Sequence, residues 1–171
     1  MQTRHSCISS PKYEEIFRSF LRGKKIKRAV EIGTYQGTST AVLSYYADRV
    51  LTVDIYRCYE AQKLWLNAGC LDKMDYYRIE SDEDKALLLK QQDFDFAFID
   101  GNHREGVNLD FKLTSKCGRV LFHDYFHDSW KLPDTMVASG SKPSPWINKL
   151  VDSLPKEEVT IREPFAYWEK K

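Results

Sequence analysis

Acidic and imidazole side chains recur at two points of this chain where an apolar run ends. Phe98-Ile99 is followed by Asp100-Gly101-Asn102-His103, and Leu121-Phe122 by His123-Asp124-Tyr125. If the two runs are neighbouring parallel strands, Asp100 lies beside His123 and Asp124, so two carboxylates and two imidazoles share one cleft. Such groups can hold and move protons, and they are costly at strand ends without a ligand or a partner. A third signal lies upstream, in Glu31-Ile32-Gly33-Thr34-Tyr35-Gln36-Gly37. There Gly33 permits a sharp turn and a close approach of backbone to a ligand, and Gly37 lets the next helix pack tightly. Asp54 ends the following apolar run, where a carboxylate can accept both hydroxyls of a ribose.

The elements that must position these residues alternate along the chain. Ser9-Ser10-Pro11, with Glu14 and Glu15 behind it, reads as a helix start, and Gly23 ends that N-terminal helix (residues 1–23). Strands are expected over Arg28–Ile32, Val50–Asp54, Tyr76–Ile79, Phe94–Ile99 and Arg119–Phe122. Helices are expected between them, over Ser39–Ala47, Tyr59–Ala68, Asp84–Lys90 and Gly106–Thr114. Strand–helix alternation of this length implies right-handed crossovers and a parallel sheet. Beyond Tyr125 the pattern breaks into a polar, Gly/Pro-rich stretch to Pro145, long enough for a substrate lid (residues 125–145) rather than a connector. A helix over Trp146–Leu154 follows. Val159–Arg162 and Phe165–Trp168, separated only by Glu163-Pro164, form a hairpin. The expected fold is α/β, Rossmann-like: a seven-stranded, mostly parallel sheet with helices on both faces and a C-terminal antiparallel hairpin strand. One domain over residues 1–171 accounts for the chain, which leaves no separate substrate domain.

Composition excludes several classes. With 26 Lys+Arg against 25 Asp+Glu, the net charge of +1 gives no global field for nucleic acid or an acidic membrane. The basic run Arg22 to Arg28 lacks interleaved aromatics and reads as a solvated loop. No segment approaches the roughly 18 apolar residues of a membrane helix. Met1 to Ser10 has no apolar signal core, so the expected compartment is the cytoplasm. Cys7, Cys58, Cys70 and Cys117 show no metal-ligand spacing and read as reduced structural thiols.

The glycine spacing narrows the ligand. A dinucleotide fingerprint places a middle glycine against a pyrophosphate, and here Tyr35 stands in its place. The pattern E-x-G-x-x-x-G suits a ligand without a pyrophosphate, and the Glu31 charge favours a cationic amino-sulfonium group. On Glu31, Gly33, Gly37, Asp54 and the seven-strand tally, the sequence resembles the class I S-adenosylmethionine (SAM)-dependent methyltransferases. The stretch "FIDGNH…EGVNLD…GRVLFHDY" resembles in particular the class 24 methyltransferase domain family, which includes small-molecule and sugar O-methyltransferases. The resemblance covers Val30 to Tyr125.

The resemblance implies Glu31, Gly33, Thr34, Tyr35, Gly37, Asp54, Ser81, Asp82 and Asp100 as the SAM-binding set. Ser81 and Asp82 serve equally well as helix caps. It further implies Asp100 and Asp124 as oxygen ligands of Mg²⁺ or Mn²⁺, with His103 as the base and Asp100 and His123 beside it in the catalytic set. His123 stands where some relatives have an acid, so it either joins Asp100 and Asp124 as a metal ligand or faces substrate with no metal. The implied reaction is methyl transfer to a hydroxyl of a small molecule or sugar. The alternatives are a metal-independent N-methyltransferase and a non-catalytic nucleoside-binding module. His127-Asp128 reads as lid surface, and Trp130 as a candidate pocket wall. Trp65, Trp146 and Trp168 read as packing. The partner is a small-molecule acceptor, and a second copy of the chain in a homo-oligomer is a candidate to close the cleft that so short a lid loop leaves exposed.

Overall fold

The computed structural model describes residue 8 and residues 10–101, 104–126 and 144–171, and among these described residues seven strands and six α-helices succeed one another. His103, His127, Asp128, Trp130, Cys7 and most of the expected lid lie outside the described residues. The helices are α1 (Pro11–Leu21), α2 (Thr38–Leu43), α3 (Tyr59–Asn67), α4 (Asp82–Lys90), α5 (Gly106–Thr114) and α6 (Pro145–Asp152). The strands are β1 (Ile26–Ile32), β2 (Ala47–Asp54), β3 (Met74–Arg78), β4 (Phe96–Ile99), β5 (Arg119–Phe122), β6 (Val159–Arg162) and β7 (Phe165–Glu169). Among the described residues, no helix is long and apolar enough to cross a membrane.

The sheet runs β3-β2-β1-β4-β5-β7-β6. The first five strands are parallel to one another, and β7 is antiparallel to both β5 and β6. The hairpin therefore folds back so that the last strand pairs with β5 and β6 takes the edge. One expected boundary moves substantially. The helix expected over Ser39–Ala47 stops at Leu43, and Ala47 already opens β2. Ser44 Oγ donates to the Ala41 carbonyl at 2.7 Å, and Tyr45 and Tyr46 close tight turns onto Val42 and Leu43. A hydroxyl bonded back into the last turn competes with helix continuation.

Alternation along each strand sends side chains to two apolar layers. Val30, Ile32, Leu51, Val53, Ile99 and Phe122 pack with Leu89 of α4, Val107 and Leu113 of α5, and Ile147 and Val151 of α6. Ala29, Val50, Phe96, Phe98 and Leu121 meet Phe17, Phe20 and Leu21 of α1 and Val42 and Leu43 of α2. Helix α1 starts as the sequence indicates, with Tyr13 N donating to Ser10 Oγ at 3.1 Å and Pro11 in its first turn. Trp65 is fully buried beside Ala61 in α3, and Trp168 packs in the core, while Trp146 is 37% exposed and so does not pack as expected.

Strand order reverses between β1 and β4, and there the backbone is tight. Gly33 has φ +101°, and a Cβ on it would meet the Asp100 carbonyl oxygen at 2.5 Å. Beside this contact Gly33 N donates to the Val53 carbonyl and Asp100 N to the Ile32 carbonyl, both at 2.9 Å. Gly37, at φ +77°, is closed off differently: its missing Cβ leaves room for Ala61 and Trp65 of α3, whose indole Nε1 donates to the Gly37 carbonyl at 2.9 Å. The tight packing expected around Gly37 is thus made with α3, not with the helix that Gly37 introduces.

Glu31 points to the α2 side of the sheet and is fully buried. Ser39 Oγ donates to Oε1 at 2.5 Å, while Thr40 Oγ1 and Thr52 Oγ1 donate to Oε2 at 2.5 and 2.7 Å. Thr52 Oγ1 also lies 2.7 Å from Thr34 Oγ1, so the hydroxyl chain reaches the glycine turn. Burial raises the Glu31 carboxyl from its ordinary 4.5 to about 7, although the three hydroxyls pull it down.

Two expectations follow from these contacts. Gly33→Ala forces a Cβ into backbone at a φ that L-residues avoid; urea unfolding should show a loss of about 1–3 kcal/mol or more, and unchanged stability would contradict the packing described. For Glu31 the folded carboxyl holds its proton more tightly than the unfolded one. The associated stability is therefore complete below pH 4.5 and is lost as pH rises through about 7. Relative to Glu31→Gln, the wild type should lose on the order of 3 kcal/mol across that window; parallel pH profiles for the two proteins would refute the shift.

Candidate active site

Residues from four strand ends gather at the carboxyl rim of the sheet. Thr34 and Tyr35 follow β1, Asp54 closes β2, Asp100 follows β4, and His123 and Asp124 follow β5. Ligands of open α/β sheets bind at such a rim, at the point where strand order reverses. The register pairs Ile99 with Phe122, which sets Asp100 beside His123, as the sequence indicates.

On the β2 side, the Asp54 carboxylate holds the glycine turn. Oδ2 accepts from Thr34 N at 2.9 Å and Tyr35 N at 2.8 Å, and Oδ1 accepts from Tyr56 N at 2.9 Å. These bonds bend the chain so that Tyr35 takes the left-handed region at φ +46°. A carboxylate offers about four acceptor sites. With three used by amides, the carboxylate keeps about one acceptor position, on Oδ1, too few for both hydroxyls of a cis-diol in this arrangement. The Ile55 and Tyr56 side chains beyond it are exposed.

Ser81 and Asp82 sit at the start of α4, and both are engaged there. Ser81 Oγ accepts from Asp84 N at 3.1 Å, and the Asp82 carboxylate lies 2.8 Å from Lys85 Nζ. Glu31 lies beneath the rim, and its oxygens meet the hydroxyls of Ser39, Thr40 and Thr52.

On the β4–β5 side the structure brings Asp100, His123 and Asp124 together. His123 Nδ1 is 3.0 Å from Asp100 Oδ1 and 2.9 Å from Asp124 Oδ1. The two contacts are ion pairs rather than aligned hydrogen bonds, and Nε2 has no hydrogen-bond partner among the described residues. Burial lowers the imidazole pKa, but the charges of Asp100 and Asp124 more than reverse this and lift it to about 10. The two carboxylates thus favour the charged form of the ring. Asp124 stands at φ +61°, and its carbonyl accepts from Ser144 N at 3.3 Å, tying the rim to the start of α6.

The resemblance assigned Asp100, His123 and Asp124 to a divalent cation, and the arrangement does not fit one. The ring nitrogen lies within 3.0 Å of both carboxylates, so the carboxylates face an imidazole. Among the described residues, no group of three His, Cys, Asp or Glu side chains is placed to hold a metal ion.

Some contributors were not singled out from sequence. Thr52 is a polar residue inside an otherwise apolar strand end, a signal that something polar waits opposite. Ser39 and Thr40 follow the glycine turn directly, where helix-start hydroxyls are easily read as caps. Tyr13 of α1 has its hydroxyl pKa raised by burial, then by the charges of Asp124 and Glu163, which places α1 beside the rim. Trp65, read as packing, also bonds the glycine turn.

Among curated proteins, none matches the chain in sequence. Solved structures do resemble it. An O-methyltransferase from Bacillus cereus in complex with SAH is 17% identical, with a TM-score of 0.66 over 94% of this chain and 82% of that one. The O-methyltransferase TomG from Streptomyces achromogenes, in complex with SAM, is 17% identical, with a TM-score of 0.67 over 95% and 81%. The SAH-bound methyltransferase PaMTH1 of Podospora anserina is 18% identical, with a TM-score of 0.68 over 96% and 80%. Identities this low establish a shared fold. Family membership is established separately, by the model of a methyltransferase domain that matches residues 30–125. That match spans more than half of the sequence and includes the glycine turn, Asp54, Asp100, His123 and Asp124, and the chain accordingly belongs to this family of methyltransferase domains.

Proposed function

We propose that this rim transfers the methyl group of SAM to a hydroxyl of a small molecule or sugar. The observation that carries the reading is the shared placement of two half-sites: a glycine turn held by Asp54, and a carboxylate–imidazole cluster on the adjoining strands. Structural relatives bound to SAM and SAH support the choice of cofactor. Bound SAM supplies an electrophilic methyl, so the protein's task is to align the acceptor and take its proton.

In this reading Asp54 Oδ1 accepts a ribose hydroxyl, and the backbone around Gly33 and Thr34 lies against the cofactor. Ser81 and Asp82, at the head of α4, border the adenine. Glu31 acts from below by fixing α2 and the turn through hydroxyls. Asp100 contributes negative charge facing the cationic sulfonium, while its partner His123 limits the net charge at the rim. His103, which the resemblance offers as base, takes the acceptor's proton. Metal assistance through Mg²⁺ or Mn²⁺ would require His123 to leave its place between Asp100 and Asp124. An amine acceptor is the second reading: it needs neither a strong base nor a metal, which suits a rim whose carboxylates already face an imidazole.

Three outcomes are expected. SAM at about 100 times its Kd should stabilise the protein by about 2.7 kcal/mol, a Tm rise of about 5–10 °C for a chain of this size. Asp54→Ala should abolish that rise, and stabilisation by NADH in place of SAM would defeat the reading. His103→Ala should lower kcat for a hydroxyl acceptor about 10²–10⁴-fold with SAM affinity unchanged. Retention of full kcat would remove His103 from the reaction and favour an amine acceptor.

A further inference from the structure

We infer that His123 stands in for a metal ion at this rim: its ring, wedged between Asp100 and Asp124, is the positioning element that holds the two carboxylates in place, so the site works without a divalent metal. The inference deepens the proposed function and rests on it for the identity of the rim as the site of transfer.

The geometry argues for a built arrangement rather than a chance approach. The His123 side chain is only 4% exposed, and the two carboxylates it faces are 14% and 9% exposed. Its backbone is fixed by a hydrogen bond from His123 N to the Ile99 carbonyl at 3.1 Å, continuing the β4–β5 ladder. Its ring packs against Phe165 of β7 at a centroid distance of 5.2 Å. Asp124 turns its side chain back toward its neighbour's ring through the left-handed backbone at φ +61°. Each carboxylate comes from a different strand end, so one nitrogen contacting both fixes the spacing of β4 and β5 at the rim. Two carboxylates at that spacing repel each other when nothing lies between them. A divalent ion would relieve the repulsion with oxygen ligands alone, whereas here the sequence supplies a nitrogen in the same place.

The test is a metal titration read without turnover. The full chain, stripped with EDTA, is titrated with Mn²⁺ and with Mg²⁺ while Tm and heat of binding are followed. The wild type should show no metal-dependent rise in Tm. His123→Asp, which replaces the ring with a third carboxylate, should gain Mn²⁺ binding at least about tenfold tighter than the wild type. His123→Asn carries the same test should the aspartate variant fail to fold. A wild-type response to Mn²⁺ that Asp100→Asn removes would overturn the inference. So would a folded His123→Asp or His123→Asn protein with no gain in metal affinity. SAM-induced stabilisation, measured in parallel without metal, reports on the proposed function separately, so either reading can fail while the other stands.

Discussion

Where β1 and β4 leave the sheet, the space a side chain would take at Gly33 is already filled by the Asp100 carbonyl, 2.5 Å from the missing Cβ. Much of the rim depends on that closeness. Because Gly33 yields to the β4 loop, β1 turns sharply and presents the Thr34 and Tyr35 amides to Asp54. Because the same approach keeps β4 in register with β1, Asp100 emerges beside His123 on the next strand. A second closure, the Trp65 indole on the Gly37 carbonyl, anchors the far end of the turn to α3. The turn is thus pinned at both glycines and in the middle.

The structure handles buried carboxylates in three distinct ways. Glu31 receives three hydroxyls and no cation, so burial dominates and its pKa climbs to about 7. Asp100 and Asp124 share an imidazole. Asp110, fully buried in α5, lies 2.5 Å from Lys85 Nζ, which also reaches Asp82 at 2.8 Å and so links α4 to α5. A buried charge without a partner costs several kcal/mol, and each of these acids has a different answer to it. The difference shows at Glu31, where hydroxyls without a cation leave an acid able to take a proton near neutrality.

Much of this was legible in the sequence, for identifiable reasons. The β4 strand and the last three residues of β5 are apolar because both faces of the sheet are covered, and their ends are marked by the polar residues that follow. Adjacent parallel strands of matched length put Asp100 next to His123 without further information. Spacing fixes adjacency but not ring orientation, so whether His123 joins a metal site or fills it could be read only from coordinates. Glu31 illustrates a similar limit. Its charge suggested a ligand, whereas strand alternation turns it under the rim toward Ser39 and Thr40. The helix expected to run to Ala47 failed because Ser44 bonds back onto its own last turn, an interaction that apolar periodicity does not reveal.

The strand order carries a consequence for how the rim comes into being. β1 is flanked by β2 and by β4, and the Gly33–Asp100 contact joins residues far apart in the chain. Closing a loop of that size costs entropy before the contact rewards it, and folding slows as such pairings multiply. During synthesis, a ribosome that has released β1, β2 and β3 has exposed one bare edge of β1, with its glycine turn unsupported. The glycine turn therefore waits on β4, and the carboxylate–imidazole cluster waits one strand longer, on β5.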